Sequence, residues 1–497
     1  MAAIITEKFR MSNAEIFKDE FGGTNKYYMF LGKSAPWSSN DATSASDAAP
    51  PTPVDDVTSE FYYWDDMIAA KSIGATDVAF VAPRRNWVNN TTYDMYEHDV
   101  STSNLTTSSA TNIYNSTFYF ITSEFRIYKV LDNNGGTAMT DGAGEPVAEG
   151  NTPFEHGGYV LQYMNKVSGS EATKFLTTDF MPVSTNATVA AAATDGAIVS
   201  LRVTSAGSGL RNGTYYAAVY GDGTSAGTAS GAIIRITVSG GVIASYGITA
   251  GSDTTVHAGG TGYTYANIPL GVGFTFDADA TLNTAGTHMG TGGSPAIQAI
   301  ISPKGGHGND APKELGAHYV SINTTFSNTD TQDVTESNDF RRVGLVKNPY
   351  AFGTTSGSTY FSAATGRTTK ALKLTGVSGS FVADDKITQA STNAVGKVVE
   401  WDATNSILYY QQERFVDYGT HTNQKFIAFS GGNAVSGATS GSGTPDGTST
   451  VDGISFSSGY GNPELQPDSG DIIYIENRKP ITRASDQTED IKIIVEF

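Results

Sequence analysis

The stretch KALKLTGVSGSFVADDKITQASTNAVGKVVEWDATNSILYYQQ (370–412) alternates short apolar runs with turn residues. Gly376, Gly379, Asp384, Asp385 and Gly396 punctuate it. Such spacing leaves no room for a helix of ordinary length. It predicts about four short strands joined by turns, the rhythm of a small antiparallel barrel or sandwich. Much of the chain shares this rhythm. Glycine supplies 55 of 497 residues, and charged residues are 16%, against about 25% in ordinary globular chains. Long surface helices need Glu, Lys, Ala and Leu, and are disfavoured here. The expected fold is mainly β: multi-domain antiparallel β-sandwiches with a few short helices near the N-terminus and long loops.

Helix signals concentrate in residues 1–75. SNAEIFKDEF places Ser12 three residues before Glu15, a capping-box spacing, and Ile16, Phe17 and Phe21 form its apolar face. SEFYYWDDMIAAKSIG predicts a second helix, from Ser59 to Gly74, with Phe61, Trp64 and Ile68 on one side. Between them, the Ser-, Asp- and Pro-rich residues 31–56 read as an extended surface loop. STFYFITSEFRIYKVL (116–131) and HGGYVLQYMNKV (156–167) read as strands.

Residues 196–306 are lighter and carry an internal resemblance. GAIVSLRVTSAGSG (196–209) is similar to GVIASYGITAGSD (241–253), and SGAIIRITVSGG (230–241) to SPAIQAIISPKGG (294–306). Gly240-Gly241 sits between two apolar runs as a tight turn. A small β domain built from a duplicated hairpin unit is expected. The segment 430–450 reads as a low-complexity loop. At the C-terminus, Ile491, Ile493, Val495 and Phe497 alternate with Lys492, Ile494 and Glu496, the period of a half-buried strand.

The net charge of −19 and pI near 4.7 disfavour nucleic-acid binding and attraction to anionic membranes, both of which need basic clusters. There is no cysteine, which excludes disulfides and thiolate chemistry. Charges interrupt MAAIITEKFRMSNAE, so no signal peptide is expected, and no run reaches the ~18 apolar residues of a membrane span. A soluble protein made in a cytoplasm is expected.

No constellation for chemistry emerges. GSGLRNG (207–213) lacks the dinucleotide spacing and reads as turn glycine. His307, Asp310 and His318 match no metal spacing, and DADATLN (277–283) lacks the glycine and closing glutamate of a calcium loop. The carboxylate pairs Asp55/Asp56, Asp65/Asp66 and Asp384/Asp385 fit turns and caps better than a hydrolase. No catalytic, cofactor-binding or metal residue is therefore named. Trp37 and Trp87, near prolines and arginines, read equally as core caps and as anchors of protein contacts.

Four dense segments, LGKSAPWSSND (31–41), APRRNW (82–87), GGYVLQYM (157–164) and SGDIIYIENRKPITRASDQTEDIKIIVEF (469–497), resemble a baseplate wedge subunit family of T-even-like contractile-tailed phages, the one that dimerises in each wedge. The likeness covers roughly 1–183 and 466–497, with a weaker link through 307–350. It implies a non-enzymatic structural protein of the virion tail baseplate, assembled in the host cytoplasm. Its implied partners are a second copy of itself and other wedge proteins, with no nucleic acid, membrane or cofactor. The organisation it implies is a wedge core of 1–195, 307–350 and a C-terminal strand segment 466–497. That core is interrupted by an inserted β domain at 196–306 and a small barrel or sandwich at 351–465. The matched interface candidates are Trp37, Arg84, Arg85, Trp87, Glu476, Asn477, Arg478 and Asp486, with Arg483 beside them; each could equally serve the core. A receptor- or glycan-binding tail protein is the alternative, motivated by the Gly-rich inserts. An enzyme is the least favoured reading.

Overall fold

The computed structural model describes residues 4–140, 144–223, 231–249, 251–270, 275–276, 289–330, 333–354, 359–414, 426–484 and 486–497. It is mainly β, with α-helices at Glu7–Glu20, Val57–Asp65, Gly169–Phe175, Ala187–Ala192 and Ala311–Glu314. The chain divides into two compact units: one of Met1–Glu15, Ala79–Ser321 and Ile494–Phe497, the other of Ile16–Val78 and Ile322–Ile493. No helix among the described residues is long and apolar enough to cross a membrane.

In the first unit, aromatic-rich runs make an antiparallel sheet of Tyr119–Ile121, Arg126–Asp132, Tyr159–Lys166 and Phe154–His156, in that order. Gly157 and Gly158 make the last turn with φ of 57° and 84°. A Cβ on Gly157 would stand 2.7 Å from the Thr140 carbonyl oxygen, so only glycine fits. The lighter segment adds the antiparallel pair Ile198–Ser205 and Ala296–Ile301. A sheet of Gly213–Ala218, Ile233–Ser239, Val242–Ile243 and Thr255–Ala258 follows. Gly240 and Gly241 turn the expected hairpin with φ of 63° and 79°, the conformation that matches strand twist. The duplicated unit does not appear as two equivalent hairpins. The first copy, 198–205, is a long strand paired with 296–301, whereas the described residues of 241–253 give the short strand Val242–Ile243 and a single bridge at Tyr246. Leu131 and Val160 join one core with Ile198, Leu201, Ile234, Ile236 and Ile300's neighbours Ala299 and Ile301.

The second unit contains a five-stranded sheet in the order Thr365–Arg367, Met67–Ile73, Tyr27–Gly32, Asn338–Lys347, Asp471–Arg483. The helix expected over 59–74 is therefore half strand. It runs Val57–Asp65, capped by Asp56, whose carboxylate accepts from Thr58 N and Ser59 N. Met67–Ile73 is instead paired on both sides, to Tyr27–Gly32 and Thr365–Arg367. Tertiary pairing overrides the local helical period. The N-terminal helix also starts earlier than expected. Thr6 Oγ1 accepts from Phe9 N at 3.3 Å, and Ser12 lies inside the helix, so no capping box forms there.

Residues 370–412 form four strands, Lys370–Ser378, Lys386–Gln389, Ala394–Asp402 and Ile407–Gln411. With Val435–Gly437 and Ser442–Pro445 they close into a six-stranded barrel, since Lys370–Ser378 pairs with both Ile407–Gln411 and Ser442–Pro445. Leu372, Leu374, Ile387, Val398, Leu408 and Tyr410 fill it. The stretch 430–450 thus carries strands instead of a simple loop. The last strand, Glu489–Glu496, is hydrogen-bonded to Tyr319–Phe326, with Ile491 and Ile493 buried as the alternation predicts. In the first unit, Arg10 meets Glu496 at 3.2 Å, tying the N-terminal helix to the chain's end.

Candidate assembly surfaces

Trp37 sits at the centre of a charged nest in the second unit. Its indole N–H donates to the Arg478 carbonyl at 2.9 Å, and its backbone N–H to Asp47 at 2.9 Å. Asp47 also receives Arg341 through Nε at 2.8 Å and Nη2 at 3.0 Å, and that guanidinium holds its carboxyl below the usual range. Arg342 reaches Asp66 at 2.7 Å and Asn477 Oδ1 at 2.9 Å, and stacks on Tyr63 with 4.4 Å to the ring. A register shift between Phe340 and Arg342 interrupts regular alternation, and both adjacent arginines are buried with partners. Asn477 in turn donates to the Pro51 carbonyl at 2.9 Å. The polar loop 33–56 is thereby clamped onto the sheet by the Arg341–Asp47 ion pair and by hydrogen bonds at Trp37 and Pro51. These bonds bring Trp37, Asn477 and Arg478 together, with Glu476 beside them in a 2.7 Å pair to Arg478.

Beside the nest runs a groove of 560 Å³, framed by Pro53, Val54, Val57 and Tyr63 together with the acidic Asp55, Asp56 and Glu60 on one wall and by Ile472–Ile475 on the other. Val54 is 55% exposed, Val57 76% and Ile473 42%. Asp471–Arg483 is the sheet's edge strand. Register shifts, one of which leaves Ile473 without a cross-strand partner, and Pro480 blunt that edge against indiscriminate pairing. Sequence reasoning missed Val54, Val57 and Ile473. The only signal was apolar residues inside a Pro/Asp-rich loop and at an edge-strand position.

Arg84, Arg85 and Trp87 lie in the first unit. Arg84 donates to Asn86 Oδ1 and the Thr177 carbonyl, each at 2.8 Å. Arg85 donates to the Tyr114 carbonyl at 2.8 Å and lies 4.3 Å over the Tyr119 ring; burial lowers its pKa. Trp87 is half-buried against the Tyr93–Phe120–Tyr128 core, and its indole N–H is buried without a hydrogen-bond partner. Arg483 is only 1% exposed at its side chain and is paired with Glu489 at 2.8 Å. Asp486, in a turn after it, is exposed.

Residues 3–143 and 444–497 match the family described as Bacteriophage T4, Gp8. No curated protein matches the chain. The Gp8 match supports a component of a phage baseplate wedge, a structural role in the virion tail. All nine interface candidates and both walls of the groove fall inside the Gp8-like residues, whereas 144–443 fall outside them.

Most of the carboxylates and histidines singled out in the sequence also have partners. Asp56 caps a helix, and Asp65 lies 3.5 Å from Arg414, with burial pushing its carboxyl up to about 8. Asp384 meets Lys397 at 3.0 Å, and Asp385 accepts from Thr439 N at 3.0 Å. His307, Asp310 and His318 face different partners: Lys129 at 2.9 Å, Lys313 at 2.9 Å and Glu7 at 3.1 Å. No group of three or more His, Cys, Asp or Glu among the described residues could hold a metal ion. The segment 277–283 lies outside the described residues.

Proposed function

We propose that this chain is a non-enzymatic structural subunit of a contractile-tail baseplate wedge, assembling as a dimer with other wedge proteins in the host cytoplasm. The observation that carries this reading is convergence. Two Gp8-like segments more than 300 residues apart in sequence supply opposite walls of one groove, in which exposed Val54, Val57 and Ile473 stand beside the carboxylates of Asp55, Asp56 and Glu60. Exposed apolar patches on a soluble chain mark interaction sites. Trp37, Asn477 and Arg478, joined in the nest that clamps the 33–56 loop, support the groove from behind, with Glu476 next along the strand from its Ile475 wall; Arg84, Arg85 and Trp87 offer a second contact, and Arg483 and Asp486 fix the entry of the last strand. Residues 196–306 and 351–465 are inserted β domains in a core of 1–195, 307–350 and 466–497. Nucleic acid, membrane and cofactors take no part. Sedimentation equilibrium should return twice the 52.3 kDa chain mass, and the chain should be found in purified tails. A monomer absent from tails would overturn the reading.

A second reading, a receptor- or glycan-binding tail protein, is favoured by residues 144–443 lying outside the match. A trimer in the same sedimentation experiment would favour it.

A further inference from the structure

Arg235 stands on the strand Ile233–Ser239, whose neighbours Ile234, Ile236 and Val238 are buried in the core. On the other face it lies opposite Thr255 and lines a cavity of 390 Å³ in the first unit. That volume falls in the range of small-ligand sites, roughly 300–1,000 Å³.

The guanidinium lacks the partners that the molecule's fully buried arginines have. Arg341, Arg342 and Arg483 are buried and each meets a carboxylate; buried Arg367 donates to the carbonyls of Thr369 and Asn462. Arg235, partly buried, has no such partner among the described residues, and its Nη1 is buried without a hydrogen bond. A chain with 50 acidic and 31 basic side chains has carboxylates to spare, yet none is supplied. Glu155, at the Ile248 wall, is already held by Ile248 N and Thr249 Oγ1, each at 2.9 Å. An unpaired buried donor costs stability unless something occupies it.

The remaining lining defines that occupant. Tyr246 spends its hydroxyl on the Val199 carbonyl at 2.7 Å, so it offers the cavity only its ring. Ile248 and Val256 add apolar wall; Thr255 and His257 add polar rim. A single cation suits a monoanion better than a phosphate dianion, and the guanidinium fork matches a carboxylate. Tyrosine and aliphatic wall beside hydroxyl and imidazole suit a body with one apolar and one polar face.

We propose that this cavity binds a sugar acid, a carboxylated monosaccharide unit of a surface glycan, with Arg235 holding the carboxylate. The site lies wholly in residues that the Gp8 match omits, where a wedge contact shared across that family has no reason to be. It extends the second reading of function and stands whether or not the chain is a wedge dimer.

Saturation-transfer NMR and calorimetry on the full chain test this with glucuronate and N-acetylneuraminate, against glucose and N-acetylglutamate amide. Saturable binding of at least one sugar acid, no binding of glucose, and at least tenfold weaker binding by Arg235→Gln are expected. Arg235→Lys should fall between, keeping charge but losing the fork. No sugar-acid binding, undiminished binding by Arg235→Gln, or binding of the acidic amino acid alone would overturn it; the last would make the site a peptide contact. Should Arg235→Gln not fold, glucuronate against glucose on the unsubstituted chain decides.

Discussion

Arg483 and Glu489 form an ion pair at 2.8 Å whose two side chains are almost wholly enclosed, six residues apart across the turn that leads into the last strand. Arg483 also donates to the carbonyls of Thr335 at 3.0 Å, Val334 at 3.2 Å and Ser327 at 2.8 Å. One guanidinium thus ties Ser327, Val334 and Thr335 to the final hairpin. Arg483→Ala would strand the Glu489 carboxylate in the interior, which costs about 3–5 kcal/mol for a broken buried pair. A lowered thermal midpoint is expected even in the isolated chain. Adding Glu489→Leu should recover part of the loss, because the double variant leaves no unpaired charge. Equal midpoints for wild type and Arg483→Ala would refute this.

Ile493 is buried on the same strand. Ile493→Asp places a carboxylate there without a counter-charge, a loss of more than about 4 kcal/mol. Insoluble or protease-sensitive protein is expected, while Lys492→Asp, one position away on the other face, should stay soluble. Proteolysis half-lives of the two variants make the comparison.

These two cases show which parts of the chain are readable in one dimension. The alternation that buries Ile491 and Ile493 is local, and so are the four strands of 370–412; period and turn residues suffice for both. Met67–Ile73 is different. Its apolar spacing fits a helix, and only its pairing with Tyr27–Gly32 and Thr365–Arg367 makes it a strand. The arginines of Asn338–Lys347 likewise look like surface residues until Asp47 and Asp66 arrive from nearly 300 positions away. The candidate surfaces were half legible for the same reason. Trp37 and Asn477 stand out as residue types, but Val57 and Ile473 become a groove only when distant segments meet. Arg235 carried no signal, because what distinguishes it is a missing partner.

Acid should loosen the first unit through the buried cluster of Lys129, His307 and Glu314. Lys129 Nζ lies 2.9 Å from His307 Nδ1 and 2.8 Å from Glu314 Oε2. Burial, aided by the Lys129 charge, pushes His307 down from 6.5 to about 4. Burial pushes Glu314 up, but Lys129 and the His307 bond outweigh it and hold the carboxyl at about 2, below its ordinary 4.5. Both groups bind fewer protons folded than unfolded in these windows, so stability is lost as pH falls. The His307 contribution disappears between pH 6.5 and 4, and the Glu314 contribution between 4.5 and 2. His307→Gln should flatten the upper window, where one proton gives a slope of at most about 1.4 kcal/mol per pH unit. Denaturation midpoints at pH 7, 5.5 and 4 for both proteins measure it; parallel curves would count against the cluster.

The groove separates assembly from stability. Val57 stands on the first turn of its helix and Ile473 on the edge strand, both with side chains turned substantially to solvent. Exposed substitutions change stability by about 0.5 kcal/mol or less, so Val57→Asp and Ile473→Asp should melt like wild type. An interface anchor truncated or charged at its centre costs about 2 kcal/mol or more in binding, at least a twentyfold weakening. Sedimentation of each variant, and its incorporation into tails when supplied in place of the native chain, should then show the defect that melting does not. Val88→Asp, on an exposed residue beside Trp87 in the first unit, reads the second surface in the same assays. If the groove variants dimerise and incorporate normally while Val88→Asp fails, the principal contact lies around Arg84, Arg85 and Trp87 and the groove is not an assembly site.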